Sequence, residues 1–270
     1  MKAVMLAAGV GARLADSTVS GSPKVLLKIG GKSLLQRHIE ILRAQGVDEL
    51  VIGVGHKHQE IEQHIAELDA HNFVRTVYNE HFTEGSLVTL WTLRDEMCCG
   101  SQVLLMDADV LFDEAILGRL LNSRHENCLL LDRTFEPGDE PVKICVRDGE
   151  IVEFRKWLSA EADFSGESVG FFKLSAEEAT KIISQTSLYL SQGRRDEPYE
   201  EVLRDVLLTS RQGTFSFEDI TGMPWIEIDF AVDAERASSE ILPRIRITRE
   251  NRKEARPITQ GIDHLNPQVQ

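Results

Sequence analysis

The chain predicts an α/β fold: a mixed, mostly parallel sheet with helices on both faces and one β-hairpin insertion. Three observations carry that expectation. Apolar runs of strand length alternate with amphipathic stretches of helix length through the first hundred or so residues. The opening run breaks into a glycine-bearing loop, as the first strand of such a sheet does. Later, Asp148 and Gly149 stand between two strand-like runs, the sequence mark of a tight hairpin rather than another strand-helix unit.

Residues 3–7 (AVMLA) read as a short buried strand and residues 8–14 (AGVGARL) as the turn leaving it. Small residues there let backbone N–H groups close on an anion, and Arg13 and Lys24 bring fixed positive charge, so a phosphate cradle is expected. It is not a dinucleotide fingerprint, because Leu14 stands where the third glycine belongs. Gly31-Lys32-Ser33 ends like a P-loop, but Leu26 replaces its first glycine, and Gly30 with Gly31 reads as a turn before a helix. Ser33 caps that helix, which runs to about Gln45 with Leu34, Leu35, Ile39 and Leu42 on one side and Gly46 at its end. A strand at 50–54, a helix carrying Ile61, Ile65 and Leu68, and a strand at 73–77 continue the alternation. His56 and His58 lie at a polar turn and read as exposed rather than as metal ligands. The polar loop 79–86 precedes a helix starting near Leu87, which sets Gly85 and Ser86 at a helix N-terminus with outward N–H groups.

Residues 102–106 (QVLLM) read as a central strand that delivers Asp107 and Asp109. Two acids two apart on extended backbone project to one side, and hard oxygen ligands of that kind suit Mg²⁺. Runs at 142–146 and 151–154 form the hairpin, flanked by Lys143 and Lys156. A strand at 169–174 leads to Ser175, which with Glu178 fits a capping box opening a helix to about Gln185. Another helix spans 197–208 and carries Tyr199 and Glu200 in its first turn. Residues 225–229 alternate, which sets Trp225, Glu227 and Asp229 on one face and two isoleucines on the other. A last helix runs from about Asp233 to Leu242. The chain divides into a folded domain, 1–243, and a polar tail, 244–270, with almost no apolar periodicity.

Composition narrows the function. With 270 residues and 42% hydrophobic content the chain buries a sizeable core. A formal charge of −14 argues against a nucleic-acid surface and against docking on anionic membranes. Cys98, Cys99, Cys128 and Cys145 show no metal-site or disulfide spacing, and the short, Arg13-closed opening run does not make a secretory leader. A cytoplasmic protein with reduced thiols is expected.

Leu6-Ala7-Ala8-Gly9-x-Gly11-x-Arg13-Leu14, followed by Pro23-Lys24, resembles the signature of the nucleotidyltransferase family, whose members join a nucleoside triphosphate to a phosphorylated small molecule and release pyrophosphate. The resemblance implies the family's Rossmann-like nucleotidyltransferase fold. It implies that Leu6, Ala7, Ala8, Gly9 and Gly11 meet the nucleotide, with Arg13 and Lys24 as catalytic cations on the triphosphate. Asn79, Gly85 and Ser86 are similar to residues that touch the nucleotide in cytidylyltransferases. By the same resemblance Asp109 is the primary Mg²⁺ ligand, Asp107 its support and Asp229 the second metal acid. Lys143, Lys156, Tyr199, Glu200, Trp225 and Glu227 fall where relatives bind the acceptor. The branch resembled activates phosphocholine-like acceptors, aminoalkylphosphonates and inositol phosphate, with CTP as co-substrate. Partners are then small molecules, with a homodimer allowed. A sugar-1-phosphate nucleotidyltransferase using UTP or dTTP, an inositol-1-phosphate cytidylyltransferase and, outside enzymes, a catalytically silent nucleotide-binding subunit stay open as alternatives.

Overall fold

The computed structural model describes residues 1–11, 21–135, 141–156 and 161–245. In chain order its elements are β1 (Lys2–Ala7), a 3₁₀ turn (Lys24–Leu26), β2 (Lys28–Ile29), β3 (Lys32–Ser33), α1 (Leu34–Ala44), β4 (Glu49–Val54), α2 (His58–Glu67) and β5 (Val74–Tyr78). Then come a 3₁₀ turn (Phe82–Glu84), α3 (Ser86–Thr92), α4 (Arg94–Met97), β6 (Val103–Asp107), β7 (Val110–Phe112), α5 (Glu114–Leu121), β8 (Asn127–Asp132), β9 (Lys143–Arg147), β10 (Glu150–Arg155) and β11 (Phe164–Leu174). The chain continues through α6 (Ala176–Ser191), α7 (Tyr199–Thr209), β12 (Phe215–Asp219), β13 (Trp225–Glu227) and α8 (Ala231–Arg236), then a π turn (Ala237–Ile241) and a 3₁₀ turn (Leu242–Arg244).

Among the described residues, nine strands form the main sheet. Its N-terminal half is parallel: β1 lies between β4 and β6, and β4 pairs with β5. Helices α1 and α2 connect successive parallel strands, as the sequence alternation predicts. All three neighbours β6, β1 and β4 therefore end at the same edge. The other half is antiparallel, apart from the parallel β8–β12 pair at its side, and is organised by the long strand β11. Its C-terminal part pairs with β6, its N-terminal part with β9, and β8 follows both parts with a register shift between Ser168 and Phe172. The β9–β10 hairpin turns at Asp148 and Gly149, both with positive φ (53° and 78°), as a two-residue turn matched to strand twist requires. It extends the sheet rather than standing off from it.

Both faces of the sheet are covered, so successive residues of a strand enter different cores. Ala3 and Met5 of β1 pack with Leu50, Ile52, Leu104 and Met106 beneath α1, α2 and α5. Val4, Val51, Val103 and Leu105 face the opposite side, against α3, α6 and α7. These strands read as unbroken apolar runs for that reason. A third, smaller cluster joins Ile29, Leu34, Leu111, Ile228 and Ile241 under the short β7–β13 ribbon. No helix among the described residues is long and apolar enough to cross a membrane.

Ser33 caps α1 as expected, its Oγ accepting the Gln36 N–H at 3.0 Å. At α6 the expected capping box is only half made. Ser175 Oγ accepts the Glu178 N–H at 3.2 Å, but the Ser175 N–H donates to Asn127 Oδ1 at 2.7 Å instead of to Glu178. The Glu178 carboxylate is drawn away by Lys181 and Ser210. The helix also runs on to Ser191, beyond the Gln185 expected, because Ile182, Ile183, Thr186 and Tyr189 keep a buried stripe along it. Strand β12, not anticipated, pairs in parallel with β8. Of the expected tail only its first two residues are described; residues 246–270 lie outside the described part.

Asn127 fastens three segments, since its Nδ2 also donates to Thr214 C=O at 3.1 Å. Replacing it with alanine leaves a helix N–H and a loop carbonyl unsatisfied, a loss of about 1–3 kcal/mol. Asn127→Ala is expected to lower the unfolding free energy by that amount, read in urea melts as a lower midpoint at unchanged m value.

Candidate active site

The parallel strands β1 and β6 and the loops after them open a cleft of about 520 Å³ at the carboxyl edge of the sheet. Ligands of open α/β sheets bind at this edge, where strand ends and helix starts leave backbone groups exposed. Leu6, Ala7, Ala8, Gly9 and Gly11 form its floor along the strand end and first loop. The loop is held by Ala8 C=O, which accepts the His56 N–H at 3.1 Å, and Gly11 takes a positive φ of 60°. Gly85, Ser86 and Thr89 line one wall; Tyr199 and Glu200 line another.

Lys24 reaches into the same cleft from the 3₁₀ turn Lys24–Leu26, which is anchored by the buried Val25. Its ammonium donates to Asp109 Oδ2 at 2.9 Å and to Asp229 Oδ1 at 2.6 Å. Burial works against the charged ammonium, but the two carboxylates outweigh it and raise the Lys24 pKa. The acids themselves come together through backbone pairing. Asp109 precedes β7, Glu227 ends β13, and these strands run antiparallel with Glu227 opposite Val110. The Ile228 N–H donates to Asp109 C=O at 3.0 Å and so continues the ladder past the strand ends.

Carboxylate oxygens of Asp109, Glu227 and Asp229 lie within 4.8 Å of one another, a set of hard donors that fits a small divalent cation such as Mg²⁺. Glu227, expected on the acceptor side, thus joins the metal-capable group, and Asp107 stands apart from it. Asp107 Oδ2 accepts the Tyr199 hydroxyl at 2.9 Å. Desolvation, then the charges of Glu200, Asp109 and Glu227, push the Asp107 carboxyl well above its usual range. Desolvation followed by Asp109 and Asp229 does the same for Glu227. Gly170 makes the Asp107 position available: at φ +79° it sits so close that a Cβ there would collide with Asp107 Oδ2.

Three expected contacts are not brought to the cleft. Asn79 is buried where β5 ends; its N–H donates to Val54 C=O, and its side chain donates to Thr89 Oγ1 at 3.1 Å and accepts the His81 N–H. That polarity is consumed in bracing the loop. Lys143 is buried, with its ammonium on Lys156 C=O at 2.7 Å and Pro141 C=O at 3.4 Å, so it fastens the ends of the hairpin. Trp225 shares the strand alternation of Glu227, but its indole N–H donates to Asp132 Oδ2 at 2.8 Å and its ring packs on the core. Lys156 enters a small hollow of about 40 Å³ beside the main cleft, together with Tyr199 and Glu200. Arg13 lies outside the described residues.

His38, unflagged in the sequence, supports the site from below. Antiparallel pairing directs the Val110 carbonyl away from β13, and the buried His38 Nε2–H of α1 donates to it at 2.8 Å. Burial pushes the imidazole down to about 4, with Asp109 and Arg37 acting on it in opposite senses. The unfolded chain, near the ordinary 6.5, binds the proton more readily. The contribution of neutral His38 is therefore complete above pH 6.5 and is lost as pH falls toward 4, to a limit of about 3 kcal/mol. Urea melts between pH 4 and 7 are expected to show a shallower loss of stability on acidification in His38→Gln than in the parent chain.

The sequence profile of the MobA-like NTP transferase domain matches residues 3–163. Relatives over nearly the whole chain include the Campylobacter jejuni CTP:phosphoglutamine cytidylyltransferase, 23% identical over 87% of this chain and 98% of that one. The Haemophilus influenzae choline-phosphate cytidylyltransferase is 26% identical over 73% of this chain and 79% of its own length. The chain spans about half the length of two bifunctional relatives. Among solved structures, the inositol-1-phosphate CTP transferase from T. maritima superposes with a TM-score of 0.69 at 20% identity, covering 91% of this chain and 98% of that one, and so shares the fold. Loop, strand order and profile agree, and the chain belongs to the MobA-like NTP transferase family of nucleotidyltransferases.

Proposed function

We propose that the chain transfers CMP from CTP to a small phosphate- or phosphonate-bearing acceptor, of the phosphocholine or 2-aminoethylphosphonate kind, and releases pyrophosphate. The observation that carries this reading is the convergence of Lys24 with Asp109, Glu227 and Asp229 in one cleft beside the 8–11 loop. CTP is supported by the Campylobacter jejuni and Haemophilus influenzae relatives, whose names share that nucleotide or its cytidylyl group while their acceptors differ. An acceptor oxygen attacks the α-phosphorus, the bond to the β-phosphate oxygen breaks, and pyrophosphate leaves with the electron pair.

The acceptor's phosphoryl oxygen is already ionised near neutral pH, so no side chain has to act as nucleophile or strong base. What the chain supplies is position and charge. Backbone groups of the 8–11 loop receive the nucleotide, Lys24 stabilises charge developing at the transferred phosphoryl group, and by family resemblance Arg13 holds the rest of the triphosphate. Asp109, Glu227 and Asp229 would hold Mg²⁺, which supplies Lewis-acid neutralisation of phosphate charge. Tyr199, Glu200 and Lys156, grouped around the small hollow, form the acceptor side in this reading. The partners are small molecules, and a cytoplasmic address suits them.

The test is a pyrophosphate-release assay with each nucleoside triphosphate against phosphocholine, phosphoethanolamine, 2-aminoethylphosphonate, phosphoglutamine and inositol 1-phosphate. A CTP requirement with one of these acceptors is expected; turnover with UTP or dTTP and a sugar 1-phosphate, and none with CTP, would replace the reading. In the active pairing, Asp109→Asn and Asp229→Asn are each expected to lower kcat by about 10²–10³, on the scale seen for single charge-stabilising groups.

A further inference from the structure

We infer that Lys24 is the resident counter-ion of the acid pair in the nucleotide-free protein, so that divalent metal and nucleoside triphosphate load cooperatively and bare metal loads poorly. This rests on the cytidylyl-transfer reading for the identity of the nucleotide, but its central observation is independent of the base. The Lys24 ammonium bridges Asp109 Oδ2 and Asp229 Oδ1, and the same two carboxylates, with Glu227, make up the metal-capable group found among the described residues. Ammonium and metal ion therefore draw on shared ligands. The three side chains are only 18%, 20% and 22% exposed, so water screens this bridge far less than it screens a surface ion pair.

The backbone beneath Lys24 is fixed, which limits how the side chain leaves. Leu26 N–H donates to Pro23 C=O and Leu27 N–H to Lys24 C=O, both at 2.9 Å, and Val25 is buried. Any release is a rotation of the lysine stem about a stationary turn. On the loop side the stem runs beside Gly11, so closely that a Cβ on that glycine would stand only 3.4 Å from Lys24 Cγ. The adjacent ground is thus the glycine-bearing loop assigned to the phosphates. A triphosphate there offers the ammonium a new anionic partner. Metal arriving alone offers none, and it meets a positive charge already seated between two of its ligands. Two ligands that each relieve the other's cost bind with positive coupling, and the coupling is the same read from either side.

The sign of the consequence separates this role from a purely catalytic one. Removing the ammonium harms turnover yet improves the binding of bare metal. Mn²⁺ binding, followed by the loss of the free-ion EPR signal, tests it on the full chain with no turnover involved. Lys24→Met is expected to bind Mn²⁺ on the order of tenfold more tightly than the parent chain. With the signal lost to the analogue alone subtracted, since Mn²⁺ also binds a free triphosphate, a non-hydrolysable CTP analogue is expected to tighten protein-bound Mn²⁺ more in the parent chain than in the variant. Lys24→Gln repeats the measurement should the methionine variant not fold. Asp229→Asn is the control for the site itself. If Asp229→Asn weakens Mn²⁺ while neither lysine variant tightens it, the counter-ion role is overturned and the metal site stands. If Asp229→Asn leaves Mn²⁺ binding unchanged, the acid group is not the metal site and both readings fall.

Discussion

The backbone pairing of Asp109 with Ile228 is the constraint on which the cleft depends. Lys24 is separated from Asp109 by 85 residues and from Asp229 by 205, and nothing local in the sequence holds them together. One N–H···O=C bond at 3.0 Å, continued by the β7–β13 ladder and closed by the Asp113 N–H on Pro224 C=O, sets the register that does. A slip of one residue would send Glu227 and Asp229 into the apolar cluster now filled by Ile226 and Ile228. The acids are therefore held by a short ribbon whose outer edge needs its own partner. His38 provides it, and the neutrality that burial forces on the imidazole suits a ring that only donates to a carbonyl.

Charge is the second constraint. Asp107, Asp109, Glu200, Glu227 and Asp229 share one cleft; Lys24 faces them within it, and Lys156 faces four of them from the adjoining hollow. Such a surface repels a triphosphate unless positive charge arrives with it. The raised carboxyl groups of Asp107, Glu200 and Glu227 express the same strain from the protein's side, with desolvation leading in each case and neighbouring acids adding to it. The acidic chain thus concentrates negative charge where a hard cation fits, and places a lysine and a glycine-bearing loop against it.

Much of this was legible in the sequence because strands buried on both faces and capped helices leave local marks. The β1 run, the Ser33 cap and the Asp148-Gly149 turn each needed only neighbouring residues to be read, and each is present. The convergence of Lys24, Asp109 and Asp229 was readable through the family resemblance, since spacing alone does not place three distant segments at one edge. What escaped was decided by partners outside the local motif, some of them far along the chain. Trp225 follows the alternation of Glu227, but Asp132, 93 residues away, takes its indole N–H. The Asn79 side chain is used on Thr89, and Lys143 on carbonyls of its own hairpin. The second half of the α6 cap comes from Asn127, 48 residues upstream, where a local motif cannot show it. His38 looked like one more polar residue of an amphipathic helix, and only the outward carbonyl of Val110 gives it a task.

Tyr199 shows why the cleft acts by position rather than by assembling around its ligands. Its N–H donates to Ser86 Oγ on the wall assigned to the nucleotide, its hydroxyl donates to Asp107 at the end of β6, and its ring meets Phe172 edge-on at 6.3 Å. A second tie, between Arg195 and Glu84, joins the same two loops nearer the surface. The first turn of α7 is thereby fixed to both the loop wall and the acid-bearing strand before any substrate enters. Because nucleotidyl transfer asks for alignment and charge more than for a reactive side chain, this prior fixing is where the fold invests its buried polar contacts. Among the described lining residues, Lys24 stands on such a fixed base, its ammonium between two carboxylates and its stem beside the 8–11 loop, so position rather than reactivity is what it too contributes.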